Sequence, residues 1–480
     1  MRNRLKQLTR ESGIYGISHI LTRSASFLLL PLHTNFLQPH DFGIAALLFA
    51  FMMIALPGYG LGLDSAFLRY FVLADSYADK IEIFSTIYWS MLAIASIATG
   101  LGFLFSPQIS LFILQQQTPD LIQLCFGILF FESIVILPFL WLRAEKKSTL
   151  FAILKISTAL VNMGLNYYFL VIAENGLSGL LKAYLGATVF SFVTILPLLI
   201  KNSRLYFSRA VLGRLLGFGT PSLVAAFAVL AMNNIDRFFL DAMLGATATG
   251  IYNAGYKLAM AMTLIVAAFR FAWHPFFLAA SKQADAPQLF ARILTYFMLV
   301  VVTLLLIFAF FTGDIVTLKW NGYALLGEAY WEGLSVMVPV MAAQILFGIY
   351  VILLAGIHLK EKTGSLPFIT LAALLTNCAG NIFLIPLWGL SGAALSTFLG
   401  YLVLVILLYR ISRKIYPVPY EHVRLIKLVA VGALLLFLHH YFETGLLFNF
   451  LLLAGYPVLL YLSNFLNPDE RTWLAKKMPT

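Results

Sequence analysis

"NMGLNYYFLVIAENGLSG" spans Asn162–Gly179, and "NCAGNIFLIPLWGLSG" spans Asn377–Gly392. Each stretch reads Asn-x-x-x-Asn, an apolar run, then Gly-Leu-Ser-Gly. A charged cluster precedes both, Glu145-Lys146-Lys147-Ser148 ahead of the first and Lys360-Glu361-Lys362-Thr363 ahead of the second. From Glu145 through Asn166 each matched residue lies 215 positions before its counterpart; at the glycines, Gly176 and Gly389, the separation is 213, a short loop difference. Apolar text repeats by chance, but a charge cluster, an asparagine pair and a glycine turn in one register do not. The chain is therefore read as an internal duplication, which has to be recognised before a fold is assigned.

The composition is 61% hydrophobic and 11% charged, with a mean hydropathy of +0.89. A soluble domain carries about a quarter charged residues, so this chain reads as one solvated by lipid. Fourteen stretches reach the roughly 20 apolar residues a spanning helix needs. They lie near 12–34, 41–66, 82–105, 120–142, 149–172, 177–200, 211–234, 247–272, 289–312, 333–357, 366–386, 389–411, 423–442 and 446–465. The first is not read as a cleavable leader, because His19 and Arg23 interrupt it and no small-x-small site follows. Cys125 and Cys378 sit in apolar text with no metal-like neighbours, and read as small buried hydrophobes.

Basic residues orient the spans, since cytoplasmic loops retain them. Of the 32 lysines and arginines, 26 fall in the two tails or in alternate connections, and the opposite connections hold only Lys319. Both termini are thus expected in the cytoplasm, and the net charge of +11 reflects topology and not a nucleic-acid partner. Six spans separate the repeats, so the halves share one orientation about an axis along the membrane normal. The expected architecture is an all-α integral membrane protein of about 14 helices, both termini cytoplasmic. Residues 1–205 form one six-helix lobe and 206–415 a pseudo-symmetric second. Residues 416–480 add two helices and a tail. Parallel repeats of this kind are a transporter design with the substrate site between the halves.

Five basic residues remain inside spans: Arg23, Lys155, Lys182, Arg237 and Lys257. Such residues are costly in hydrocarbon and face a bundle interior or a watery cavity. Arg23 shares a helix face with Ser12, His19 and Ser26, and stands mid-span, either facing a cavity or paired as a structural cation. Lys155 shares a stripe with Asn162 and Asn166; the second copy keeps the asparagines as Asn377 and Asn381 but has Thr370 for the lysine. Features common to both copies read as structure, with buried asparagines bridging helices and Gly-Leu-Ser-Gly as a tight turn. Features of one copy only, Lys155 and Lys182 among them, are better candidates for substrate chemistry, although Lys155 is also placed to snorkel. "NNIDRFFLD" puts Asn233, Arg237 and Asp241 on one face with Asp236 pointing elsewhere, and Arg237 reads most simply as one half of a carboxylate pair. Lys257 follows Asn253 by four residues and is near enough to the other half to help line a shared cavity. Arg270 stands four residues before His274 at the inner end of the same span.

Glu132 is the one carboxylate deep within a span. It could be protonated and silent, could pair with a lysine, or could couple transport to ions. "PGYGLGLD", Pro57–Asp64, predicts a bend, whether hinge or static kink. No Walker loop, long soluble segment, paired zinc spacing or cofactor motif is present, so the energy must come from an ion gradient, the membrane potential or consumption of product. His439-His440 reads as an interfacial pair.

The chain resembles polysaccharide-exporting members of the multidrug/oligosaccharidyl-lipid/polysaccharide (MOP) exporter superfamily. "GIYGISHILTRSASFLLLPLHTNFLQPHDFGIAALL" with "GLGLDSAFLRYF" looks like the start of Wzx-type O-antigen flippases, and "NNIDRFFLDAMLGATATGIYNAGYKLA" like their seventh-to-eighth helix region. The resemblance covers essentially the whole chain. It implies a V-shaped two-lobe fold in the bacterial cytoplasmic membrane. It implies flipping of undecaprenyl-diphosphate-linked oligosaccharide repeat units to the periplasmic leaflet by alternating access, for O-antigen, exopolysaccharide or capsule synthesis. It also implies membrane lipids, a polysaccharide polymerase and glycosyltransferases as partners, and no enzymatic activity. The chain is similar as well to lipid II flippases, whose cationic cavity has an arginine in the first helix that Arg23 matches in kind. Cations would bind the diphosphate, and Tyr15, Tyr252 and Tyr256 could contact sugars. The alternatives are a cation-coupled multidrug antiporter of the same superfamily, against which the scarcity of buried carboxylates counts, and a membrane polysaccharide polymerase or ligase, against which the short outer loops count.

Overall fold

The computed structural model describes residues 27–74, 76–281, 283–360, 362–442, 445–467 and 470. Helices dominate because the apolar runs are long and a backbone in lipid must satisfy its own hydrogen bonds. The first half contains α1 (Leu30–Phe36), α2 (Pro39–Gly60), α3 (Leu63–Leu73), α4 (Tyr77–Leu104), α5 (Ser106–Leu114) and α6 (Pro119–Ala144). It continues with α7 (Ser148–Tyr167), extended by a π-turn at Tyr168–Ile172, and α8 (Gly176–Asn202). The second half contains α9 (Arg209–Met232), α10 (Asp236–Ala280), α11 (Ala286–Thr317), a two-stranded hairpin, α12 (Leu334–Leu359) and α13 (Leu366–Ile415). Helices α14 (His422–Tyr441) and α15 (Leu446–Leu462) close the chain. The hairpin pairs β1 (Lys319–Trp320) with β2 (Tyr323–Ala324) around Asn321-Gly322, and a 3-10 turn, Glu328–Gly333, leads into α12.

Ten described helical segments are long and apolar enough to cross a membrane. The chain is a multi-pass membrane protein. The observed helices fall on the expected spans from 41–66 onward, while the expected span 12–34 lies outside the described residues except for its last turns. At 50 residues, α13 would run about 75 Å if straight, far beyond a hydrocarbon core of about 30 Å. It is two arms, broken at Gly389 with φ 56° and ψ −130°. Helix α10 breaks likewise at Gly245.

The duplicated text encodes a duplicated local structure. Asn166 donates from Nδ2 to Asn162 Oδ1 at 3.0 Å, and Asn381 to Asn377 Oδ1 at 3.3 Å. Gly176, with φ 51°, and Gly389, with φ 56°, both take the left-handed backbone that an L side chain resists. The second glycine of each copy is pressed against the preceding turn: a Cβ would lie 3.1 Å from the Phe169 carbonyl oxygen at Gly179 and 2.1 Å from that of Leu384 at Gly392. The asparagines also reach other segments, Asn166 to His33 and Asn377 to Thr397.

Two local readings change. "NNIDRFFLD" is not a continuous helix, because α9 stops at Met232 and α10 starts at Asp236. Asn233 and Asn234 fold back to the carbonyls of Val229 (2.9 Å) and Leu230 (2.8 Å), satisfying the end of α9. "PGYGLGLD" is a true break, with Leu61 (φ 46°) and Gly62 (φ 75°) both left-handed between α2 and α3. Cys125 and Cys378 are both free thiols, the first buried.

The last two helices are tied down by a polar knot. The Arg424 guanidinium donates to the Phe465 carbonyl, Glu421 and Glu470, while Thr295 of α11 donates to Glu421 and Tyr296 to Glu470. This joins α14 and the segment after α15 to α11.

Candidate functional site

The halves meet along a seam formed mainly by α2 from the first and α10 from the second. Gly43 and Gly250 let these helices touch backbone to backbone at the end of the bundle that carries the hairpin. At the opposite end Gly62 and Gly219 do the same, a Cβ on Gly62 falling 2.2 Å from the Gly219 carbonyl oxygen. There Arg69 lies 4.5 Å over the Phe218 ring, and Tyr70 meets that ring edge-on. The halves thus touch at both ends of the seam.

Lys257 sits between these ends. It projects from α10 of the second half onto the Phe42 ring of the first, with Nζ 4.7 Å from the ring centroid. A cation over an aromatic face keeps part of its charge compensated without a carboxylate. Among the described residues no carboxylate forms an ion pair with Lys257, and the charge acting on it is the like charge of Arg237. The expectation that Lys257 reaches the other half holds.

Arg237 is one half of a carboxylate pair, as expected. Its partner is its own neighbour Asp236, with Nη1 2.9 Å from Oδ1 and also 2.7 Å from the Asn233 carbonyl oxygen. Asp241, one turn further along α10, does not pair with it: the guanidinium is buried beside Asp236, whereas Asp241 is half-exposed and lies near His40. Asp236 is wholly buried, and its other oxygen accepts from the Tyr252 hydroxyl. Arg237 also lies 4.4 Å over the Tyr256 ring, and Tyr401 donates to Asn233 Oδ1 at 2.7 Å. Tyr252 is fully buried in this network, so its expected contact with sugar is corrected to a structural hydrogen bond.

A second group lies within the first half. Lys155 places Nζ 4.0 Å over the Phe139 ring, and Glu132 of α6 faces both the Lys155 ammonium and the Tyr184 hydroxyl. The two residues singled out separately in the sequence thus act on one another. Lys182 on α8 and Arg270 on α10 are exposed and stand apart from both groups. Arg23, with the Ser12–His19–Ser26 stripe and Tyr15, lies outside the described residues.

His33 was not singled out from the sequence, although an ionisable residue in an apolar stretch is a signal in itself. It is buried on α1, its Nε2 2.9 Å from Asn166 Oδ1, its ring 5.9 Å from Phe42, and Lys257 is the charge that acts on it. No group of three or more His, Cys, Asp or Glu side chains suited to a metal occurs among the described residues.

In fold the chain is similar to several solved membrane transporters. The chain covers 94% of itself and 99% of the lipid II flippase MurJ in its inward closed conformation, with a TM-score of 0.72 at 14% identity. Against an inward-facing multidrug resistance MATE family transporter of the MOP superfamily the TM-score is 0.62 at 16% identity, covering 83% of this chain and 94% of the other. A MATE in the straight conformation gives 0.60 at 16% identity, over 85% and 95%. No curated protein matches the chain by sequence. The family described as polysaccharide biosynthesis protein matches residues 8–281, more than half the chain, and the protein belongs to that family.

Proposed function

We propose that the protein flips undecaprenyl-diphosphate-linked oligosaccharide repeat units from the cytoplasmic to the periplasmic leaflet of a bacterial cytoplasmic membrane. On this reading it is a transporter of the Wzx type and not an enzyme. It has fourteen spans, cytoplasmic termini, lobes at 1–205 and 206–415, and two further helices at 416–480, the hairpin lying on the periplasmic side. The product serves O-antigen, exopolysaccharide or capsule assembly, and polymerase, glycosyltransferases and membrane lipids are the partners.

The observation that carries this reading is Lys257, a cation held at the seam between the halves over an aromatic ring and, among the described residues, without a carboxylate partner. Charge of that kind attracts an anionic head group such as a diphosphate. Membership of a polysaccharide biosynthesis family supports the glycan. Arg23 is assigned to the same cavity, and Lys155, Lys182 and Arg270 to the path of the head group. Arg237 orients the seam through Asp236. Glu132, balanced against Lys155, is assigned to ion coupling.

The test is movement of a labelled undecaprenyl-diphosphate oligosaccharide across proteoliposome leaflets by wild type, Arg23→Ala and Lys257→Gln. Transport by wild type that falls at least tenfold in both folded variants supports the reading. Export of a cationic dye against a gradient, with no lipid-linked glycan moved, transfers the assignment to the antiporter alternative.

A further inference from the structure

The hairpin end of the seam is a latch built from hydrogen bonds between the halves. Asn35 donates to the Ala324 carbonyl at 2.7 Å, the Gly327 amide to Thr34 Oγ1 at 3.1 Å, and the Tyr330 hydroxyl to the Leu37 carbonyl at 2.8 Å. Phe36 stacks on Tyr323 at 5.6 Å. Every one of these residues on the first half lies within four positions of His33, in the same helix or just beyond it.

The hydrogen bonds of Asn166 settle the state of the His33 ring. Its amide nitrogen donates to the Asn162 carbonyl at 2.8 Å and to Asn162 Oδ1 at 3.0 Å. A backbone carbonyl only accepts, so Asn166 cannot be flipped, and its oxygen must face His33. Nε2 of His33 therefore carries the hydrogen. Nδ1 is left with its lone pair, buried and without a hydrogen-bond partner among the described residues. A second hydrogen there would be a buried donor with nothing to accept it, beside a like charge. The latched state requires a neutral ring.

Among the described residues, the groups around the ring offer no compensating charge. From α10 the charge is Lys257; from α7 the polar neighbours are the uncharged Asn162 and Asn166; from α2 the contact is the Phe42 ring. His40 and Asp41 lie in the first turn of α2; Asp241 of α10 lies near His40, and Asp41 acts on Tyr330, whose hydroxyl is committed to Leu37.

We propose that His33 is a proton-binding site that releases this latch. A proton delivered by hydronium on the hairpin side bonds to the Nδ1 lone pair as the hydronium O–H bond breaks and leaves water. The imidazolium then repels Lys257 across the seam, and Nδ1–H reaches a water acceptor only when the halves part. Acid on the hairpin side opens that face, and loss of the proton allows it to close. This goes beyond the transport reading and needs no assumption about the cargo.

The experiment uses the full chain in lipid nanodiscs, with Cys125 and Cys378 replaced by alanine and spin labels at exposed Gln117 and Asn321. Pulsed dipolar distances are recorded from pH about 8 to about 5.5, across the range in which histidine titrates. In the His33-containing protein a long-distance population grows severalfold as pH falls. In His33→Gln, which keeps a donor for Asn166 but cannot be protonated, the distribution is independent of pH. Lys257→Gln moves the midpoint to lower pH, because the repulsion that drives the halves apart is gone. An invariant distribution in the His33-containing protein, or an unaltered pH response in His33→Gln, overturns the proposal. So does an unmoved midpoint in Lys257→Gln, which keeps the test decisive if His33→Gln does not fold.

Discussion

Gly43 and Gly250 abut across the two halves: a Cβ on Gly43 would lie 1.8 Å from the Ala246 carbonyl oxygen and 3.0 Å from the Gly250 amide nitrogen. A Cβ on Gly250 would meet the Pro39 carbonyl oxygen at 1.9 Å. Backbone cannot give way as a side chain can, so Gly250→Ala must separate the helices. Overpacking of this kind costs about 1–3 kcal/mol, here charged only to the state closed at the hairpin end. A cysteine placed at buried Thr34 in the Gly250→Ala protein is expected to be alkylated faster than in the glycine parent. Equal rates would show that the contact does not hold the face closed.

Arg237→Ala leaves Asp236 ionised and buried without its counterion. Breaking such a pair costs roughly 3–5 kcal/mol, whereas Lys257→Gln, which removes a cation with no carboxylate partner, is expected to be neutral or stabilising. Thermal unfolding in detergent should rank them in that order. The double variant Asp236→Asn/Arg237→Gln should recover much of the loss, since neither charge is then stranded.

Asn166→Ala is expected to cost more than Asn381→Ala. Each removes an interaction worth about 1 kcal/mol, but only Asn166 also accepts from His33, whose Nε2–H would be left unsatisfied. In the second half Asn381 Oδ1 is itself without a partner among the described residues. Denaturation in mixed micelles checks the difference, and equal losses would count against the tautomer assigned to His33.

Glu470 lies beyond the last helix, where burial pushes its carboxyl up but the Tyr296 hydroxyl, the Asn467 amide and Arg424 together hold it below the usual carboxylate range. A depressed carboxyl contributes stability above its unfolded value of about 4.3, and that contribution is lost as pH falls through the lower folded value. Hydrogen exchange in α15 should therefore accelerate as pH drops below about 4, after correction for intrinsic rates. Glu470→Gln should show the faster exchange already at neutral pH and no further step in acid.

Lipid solvation and the duplication were legible because they depend on composition and on text repeated in register. Gly176 and Gly389 could be read as turns because glycine takes positive φ at least cost, and the asparagine pairs because i and i+4 meet on any helix. The reach of Lys257 across the seam was legible only as nearness. That Arg237 pairs with a carboxylate was legible, but the partner Asp236 was not, because neighbouring side chains on a continuous helix point apart and these two stand at the very start of α10. Glu132 and Lys155, separated by 23 positions on different helices, could not be matched by any local rule.

The sequence by itself determined that this chain lives in lipid, that one local motif occurs in it twice, and where its helices run, because hydrophobicity and backbone sterics act over a few residues at a time. Only the tertiary structure decided which charge is neutralised, which stands at the seam, and that His33 closes a hydrogen-bond chain from Asn162 through Asn166 with its last nitrogen left open. Those facts depend on which helix faces which, and that is set by close approaches such as Gly43 on Gly250, between residues 207 positions apart.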